Sequence, residues 1–203
     1  MTFWGSIDTR VTGVETEVLV DRVAVGAKEG RAREFRAGRA CARTAIGTVR
    51  TGAVDLIAVG TSGAPVWPTG IIGSISHSAG RAAAAVSADP EVLALGIDIE
   101  RAQIFEAELA TFVCREDDDI AAAGAFGSSV AFGAKESVFK AWSPLTGEWL
   151  EFSEIRVRLS RDGSFDVLVT TGALTGDARW CGRWQIDDGI VRTAAVLSGP
   201  RER

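Results

Sequence analysis

The chain has 203 residues, 46% of them hydrophobic, and a formal net charge of −5 at pH 7. That is enough apolar material for a sizeable core and too little length for several ordinary domains. It also excludes a good deal: no apolar run reaches membrane-span length, the start lacks a basic-then-apolar signal peptide, and the acidic balance argues against a general nucleic-acid binder.

In chain order, residues 14–25 read as a strand running into a polar turn, and 31–47 as a helix. A Gly- and Pro-rich loop covers 60–73, and strands are expected at 72–77, 81–88 and 92–100. Residues 104–123 read as a helix carrying the acidic run Glu116–Asp119, which is expected to face solvent. A further helix spans 130–142. Strands near 153–160, 164–170, 179–186 and 189–198 follow, the last two joined at Asp187-Asp-Gly189, a strong hairpin signal. Each half runs helix and then strands, so the expected fold is α+β, with two similar halves, 1–100 and 101–203. Cys41, Cys114 and Cys181 are scattered, odd in number and free of CxxC spacing, which fits a reducing cytoplasm and speaks against a zinc site or disulfide scaffold.

The chemistry concentrates in three places. In Leu93-Ala-Leu-Gly-Ile-Asp-Ile-Glu100 the apolar residues alternate with Asp98 and Glu100, so both carboxylates leave one face of a strand, roughly 7 Å apart. Asp is depleted in strands, and neighbouring like charges oppose each other unless a cation lies between them. A third carboxylate, Glu136, follows in Phe132-Gly-Ala-Lys-Glu-Ser-Val-Phe-Lys-Ala-Trp142. Three oxygen ligands beside lysines suit Mg²⁺ and a phosphate-bearing substrate.

The basic residues are 19 Arg and only three Lys, and two of those three, Lys135 and Lys140, flank Glu136. The bland reading of Glu136 is an i, i+4 surface pair with Lys140. That reading leaves Lys135 and the Asp98/Glu100 face unexplained. On the 31–47 helix, Arg31 and Arg39 border the stripe of Phe35, Ala42 and Ile46. From there they could reach an anion or simply lay their stems over apolar surface; the spacing leaves both open. His77, the only histidine, ends the Ser/Gly-rich strand Gly73-Ser-Ile-Ser-His77 beside Ser76. Nucleophile-elbow, P-loop and dinucleotide-binding patterns are absent.

Gly73-Ser-Ile-Ser-His77, Gly96-Ile-Asp-Ile-Glu100 and Phe132-Gly-Ala-Lys-Glu-Ser-Val-Phe-Lys-Ala-Trp142 resemble the three signature blocks of the 4′-phosphopantetheinyl transferase superfamily. The length and two-halved layout resemble its Sfp/EntD type, in the bacterial siderophore and actinobacterial branch. The resemblance covers about residues 30–160. It implies a pseudo-twofold monomer, each half a helix packed on a small antiparallel sheet, with the site between the halves.

The implied activity moves the phosphopantetheine arm of coenzyme A to a serine of an apo acyl, peptidyl or aryl carrier protein, in siderophore, polyketide or nonribosomal-peptide synthesis, and releases 3′,5′-ADP. The family's metal carboxylates carry over to Asp98, Glu100 and Glu136, for Mg²⁺ or alternatively Mn²⁺. Its lysines carry over to Lys135 and Lys140, with Lys135 stabilising the reacting phosphate and Glu136 the general base. Its coenzyme A contacts carry over to Arg31, Arg39 and His77, with Ser76 beside them. The alternative is a weakly active paralogue that binds coenzyme A or a carrier as a regulator, for which loss of a carboxylate would be the sign; all three are present. Gly60-Thr-Ser-Gly-Ala-Pro65 departs from the family pattern by lacking a charged residue in that loop.

Overall fold

The computed structural model describes residues 3, 7–18, 27–52, 56–60, 63–171 and 179–199. Its elements are β1 (Thr12–Glu17), α1 (Ala27–Val49), β2 (Ala58–Val59), β3 (Pro65–Val66), β4 (Ile72–Ser78), β5 (Arg81–Ser87), β6 (Val92–Arg101), α2 (Ala107–Val113), α3 (Gly127–Thr146), β7 (Ile155–Leu159), β8 (Ser164–Val169), β9 (Arg179–Asp187) and β10 (Ile190–Ser198). The part of the first expected strand beyond residue 18 lies outside the described residues.

Two antiparallel sheets carry the architecture, one ordered β1-β5-β4 and the other β6-β10-β9-β8-β7. Both begin with a strand, continue with a long helix, and return as a hairpin whose last strand pairs with the first. Thus β1-α1-β4-β5 corresponds to β6-α3-β9-β10, and β7 and β8 extend the second copy at its edge. The fold is α+β with helices packed on antiparallel sheets. β6 is hydrogen-bonded to β10 from Val92 to Arg101, so by pairing it belongs to the second sheet, whereas a division at residue 100 assigns it to the first half.

The expected 104–123 helix is shorter and interrupted. α2 ends at Val113, a turn follows, and a 3₁₀ segment spans Ala121–Phe126. Side-chain capping explains the break: the Asp118 carboxylate accepts the Arg115 and Val157 backbone N–H groups at 2.8 and 2.7 Å, which fixes a turn where a helix would have continued. The Asp187–Gly189 hairpin forms as expected, with positive φ at both Asp188 and Gly189, the conformation a two-residue primed turn demands.

Small residues set how closely the layers approach. β5 contributes four successive alanines with no exposed surface. Ala82 and Ala84 meet Cys41, Ala42, Ala45 and Ile46 of α1, while Ala83 and Ala85 meet Leu95, Ile97 and Ile99 of β6. The sheet of the first half is therefore buried on both faces, and one apolar cluster spans both halves. On the far side, Val130, Ala134, Val138 and Trp142 of α3 pack with Val157, Phe165, Val191 and Ala195.

α3 crosses β6 at a point that only glycine allows. A Cβ on Gly96 would lie 1.8 Å from the Ser137 carbonyl oxygen. Neither backbone can yield without moving a whole element. Gly96→Ala is expected to destabilise the protein by about 3 kcal/mol or more, as overpacking against rigid backbone does. A thermal unfolding midpoint equal to that of the parent chain would show that this approach is not constrained.

Candidate active site

β4 is the hinge of the site because its two faces serve different halves. Ile75 lies against Gly38 of α1, and His77 Nδ1 lies 3.6 Å from the Glu34 carboxylate of that helix. The alternate positions, Ser74, Ser76 and Ser78, face β6. Ser74 and Ser76 Oγ accept the Ile97 and Ile99 backbone N–H groups, both at 3.1 Å. Ser76 Oγ donates to Asp98 Oδ1 at 3.0 Å, and Ser78 Oγ donates to Glu100 Oε2 at 2.9 Å. Serine hydroxyls thus stand in for a backbone ladder between the halves. Sequence reasoning picked out Ser76 but missed Ser74 and Ser78, although their spacing of two along one strand was the available signal.

Asp98 is buried, and Lys140 of α3 reaches it with Nζ 2.5 Å from Oδ1 and 3.3 Å from Ser76 Oγ. The other oxygen, Oδ2, is buried without a hydrogen-bond partner among the described residues, and a Cβ on Gly133 of α3 would lie 3.6 Å from it. Glu100 and Glu136 are half-buried at the same place. Burial raises the Glu136 pKa above the usual carboxylate value, Lys140 opposes that rise, and the charges of Asp98 and Glu100 reinforce it. Glu100 is likewise raised, first by burial and then by Asp98, against the pull of Ser78 and Lys140. Asp98, Glu100, Glu136 and Lys140 thus lie within electrostatic reach of one another.

The fit to a metal is one of chemistry. These are hard oxygen donors with uncompensated like charge and one unpartnered buried oxygen, the donor set a divalent cation takes. Among the described residues, however, no three acidic, His or Cys side chains are gathered at the spacing of a complete ligand cluster.

Lys135 does not join them, which corrects the expectation that it faces the reacting phosphate. Its side chain has no exposed surface. Its Nζ donates to the Val113 and Phe152 carbonyls at 2.9 and 3.2 Å and lies 2.6 Å from Asp118 Oδ2. One residue of helix separates it from Glu136 by about 100° of rotation, enough to send the two side chains to different sides of α3. The acidic run is corrected with it: Glu116 and Asp117 are exposed, but the Asp118 side chain is 1% exposed, because it is the partner of Lys135.

The two α1 arginines also part company. Arg31 is exposed, whereas Arg39 is 8% exposed, lies 4.6 Å from the centre of the Phe35 ring, and has Nε and Nη2 buried without hydrogen-bond partners among the described residues. Burial pushes its pKa down. A buried guanidinium with unmet donors is costly unless an anion completes it.

Comparison with known proteins agrees with this geometry. Residues 20–87 match the family model for the 4′-phosphopantetheinyl transferase N-terminal domain, and residues 94–193 match that for the 4′-phosphopantetheinyl transferase superfamily. The chain belongs to this superfamily. It is 37% identical over 182 residues to 4′-phosphopantetheinyl transferase Svp of Streptomyces mobaraensis, covering 84% of this chain and 74% of the relative. It is 32% identical over 181 residues to 4′-phosphopantetheinyl transferase PptT of Mycobacterium tuberculosis, covering 82% and 79%. A shorter match, 36% over 130 residues, is to enterobactin synthase component D of Salmonella typhi, covering 61% and 53%. As a member of the superfamily the chain is a transferase; the first matched region ends with β5 and the second begins inside β6.

In this phosphopantetheinyl transferase the ionised forms of Glu100 and Glu136 oppose folding. Glu100 and Glu136 hold their protons more tightly folded than unfolded, so their favourable contribution is present at acid pH and is lost as pH rises through the raised folded values. Glu136→Gln, which cannot ionise, is expected to raise the melting temperature in chelator at pH 7–8 and to flatten its pH dependence above pH 5. A lower melting temperature than the parent at pH 8 would contradict the electrostatic reading.

Proposed function

We propose that this chain transfers the 4′-phosphopantetheine arm of coenzyme A to a serine hydroxyl of an apo carrier protein, releasing 3′,5′-ADP. Family membership supports the reaction class. The observation that carries the site assignment is the buried Asp98, paired through one oxygen with Lys140 and left unpartnered at the other among the described residues, beside Glu100 and Glu136.

Each residue has a part that its surroundings favour. Asp98, Glu100 and Glu136 would hold a divalent cation, Mg²⁺ or Mn²⁺, which would neutralise charge on the pyrophosphate of coenzyme A. Lys140, partly exposed and already beside Asp98, adds a cation at the leaving group. The carrier serine oxygen forms a bond to the β-phosphorus as the bridging P–O bond to 3′,5′-ADP breaks, and the serine proton passes to Glu136, directly or through water. Arg39, whose donors are unmet among the described residues, takes a phosphate of coenzyme A remote from the broken bond, with His77 and Arg31 of the same half contributing to that end. The match to enterobactin synthase component D supports a carrier of that kind of synthase. The three cysteines, all free, support action in a reducing cytoplasm.

The test is incubation with coenzyme A, a divalent cation and apo-carriers, with mass spectrometry for the added arm. Asp98→Ala is expected to lose transfer by at least about 10²-fold, as removal of one preorganised electrostatic group does, while remaining folded by circular dichroism. Near-parental rates in that variant would remove the carboxylate assignment. Arg39→Ala is expected to raise the KM for coenzyme A more than it lowers kcat, because a remote contact binds ground and transition states alike. That penalty should shrink with dephospho-coenzyme A; an equal penalty with both substrates would place Arg39 elsewhere.

A further inference from the structure

We propose that Lys135 is a positioning residue, and that its buried pair with Asp118 holds α3 at the rotation that presents Glu136 and Lys140 to Asp98. The inference rests on the transferase reading of that cleft. It departs from the expectation that a lysine next to the site carboxylate acts on phosphate.

Every donor of the Lys135 ammonium is engaged within the protein: the Val113 carbonyl at the end of α2, the Phe152 carbonyl in the 3₁₀ segment Phe152–Glu154, and Asp118 in the turn between α2 and Ala121. Asp118 is engaged as fully, since it also accepts the Arg115 and Val157 N–H groups. Side-chain exposure is 0% and 1%, so substrate has no access to either group. One ammonium thus ties three separate segments to a single point on α3.

The opposite sides of α3 are fixed differently. On the sheet side Ser137 Oγ lies 2.7 Å from Thr193 Oγ1, and Gly96 meets the Ser137 backbone. In the cleft Lys140 meets Asp98. Beside these contacts and the apolar packing of Val130, Ala134, Val138 and Trp142, the Lys135 anchor adds a polar restraint on rotation of the helix about its axis. A 10–20° rotation moves a long side chain's tip by more than the about 0.5 Å tolerance of a preorganised site.

Removing one partner of a buried pair leaves an uncompensated charge, whereas removing both charges leaves none. That contrast separates a positioning role from a chemical one. The test compares Lys135→Met, Asp118→Asn and the double variant for melting temperature, kcat and KM for coenzyme A in the carrier assay. The amide introduced at 118 can donate to a carbonyl that lysine vacates.

Each single variant is expected to melt well below the parent. Lys135→Met, assayed where it is folded, is expected to lose about tenfold or more in kcat with the KM for coenzyme A nearly unchanged, because the Arg39 contact lies on the other half. The double variant is expected to recover kcat to within a few-fold and to regain melting temperature relative to the singles, a coupling that only a directly interacting pair produces. Should Lys135→Met fail to fold, the double variant carries the test alone. A folded double variant still down by about 10²-fold would show that the Lys135 charge acts on the reaction. A folded Lys135→Met with parental kcat would show that the pair positions nothing. Either result overturns the proposal. Failure of the parent chain to load any apo-carrier would count against the transferase reading, while the melting-temperature coupling still tests the pair.

Discussion

The structure depends on how β4 and β6 meet. These strands belong to different sheets and share no backbone ladder, yet they lie side by side through the middle of the molecule. Ser74 and Ser76 accept two β6 N–H groups that would otherwise be buried without partners. A hydroxyl is both donor and acceptor, so Ser76 also donates to Asp98, and Ser78 donates to Glu100. An apolar residue at these positions would strand backbone donors and carboxylates together. The seam between β4 and β6 is thereby the floor of the proposed site.

Above that floor, α3 is pinned on three sides by different physics. Backbone contact at Gly96 sets its distance from the sheet, hydrogen bonding of Ser137 to Thr193 sets its slide along β10, and the Lys135–Asp118 pair ties it to the segments after α2. Four polar residues in six positions, Lys135, Glu136, Ser137 and Lys140, reach three separate environments. A helix makes this unavoidable, because each step turns the chain by 100°.

The cluster itself carries unresolved charge. Lys140 compensates one oxygen of Asp98, while burial raises the proton affinity of Glu100 and Glu136, reinforced by Asp98 at both and by Glu100 at Glu136. On the first half, Arg39 buries a cation with two nitrogens unmet among the described residues. A protein selected for stability alone would keep neither. Opposed and incomplete charges of this kind cluster where a charged ligand completes them, and the arrangement suits an anionic substrate approached by a divalent cation.

Much of this was readable from the chain alone. Alternation placed Asp98 and Glu100 on one strand face, helical spacing brought Glu136 and Lys140 to one cleft, and the Asp-Asp-Gly hairpin signal gave the β9–β10 turn, because these patterns depend on local geometry that any fold must respect. What periodicity could not supply was the partner across each face. Lys135 and Lys140 are the same residue type on one helix, one adjacent to Glu136 and the other four residues on. Only the position of Asp118, brought back by a turn that its own carboxylate stabilises, made one lysine a buried anchor and left the other in the cleft. The same holds for Arg31 and Arg39: helical angle put both at the edge of the buried face, and the packing of α1 on β4 and β5 buried one and exposed the other. Sequence determined which chemistry is present and on which element; tertiary structure decided which charge meets which, because burial and pairing are set by residues far apart in the chain.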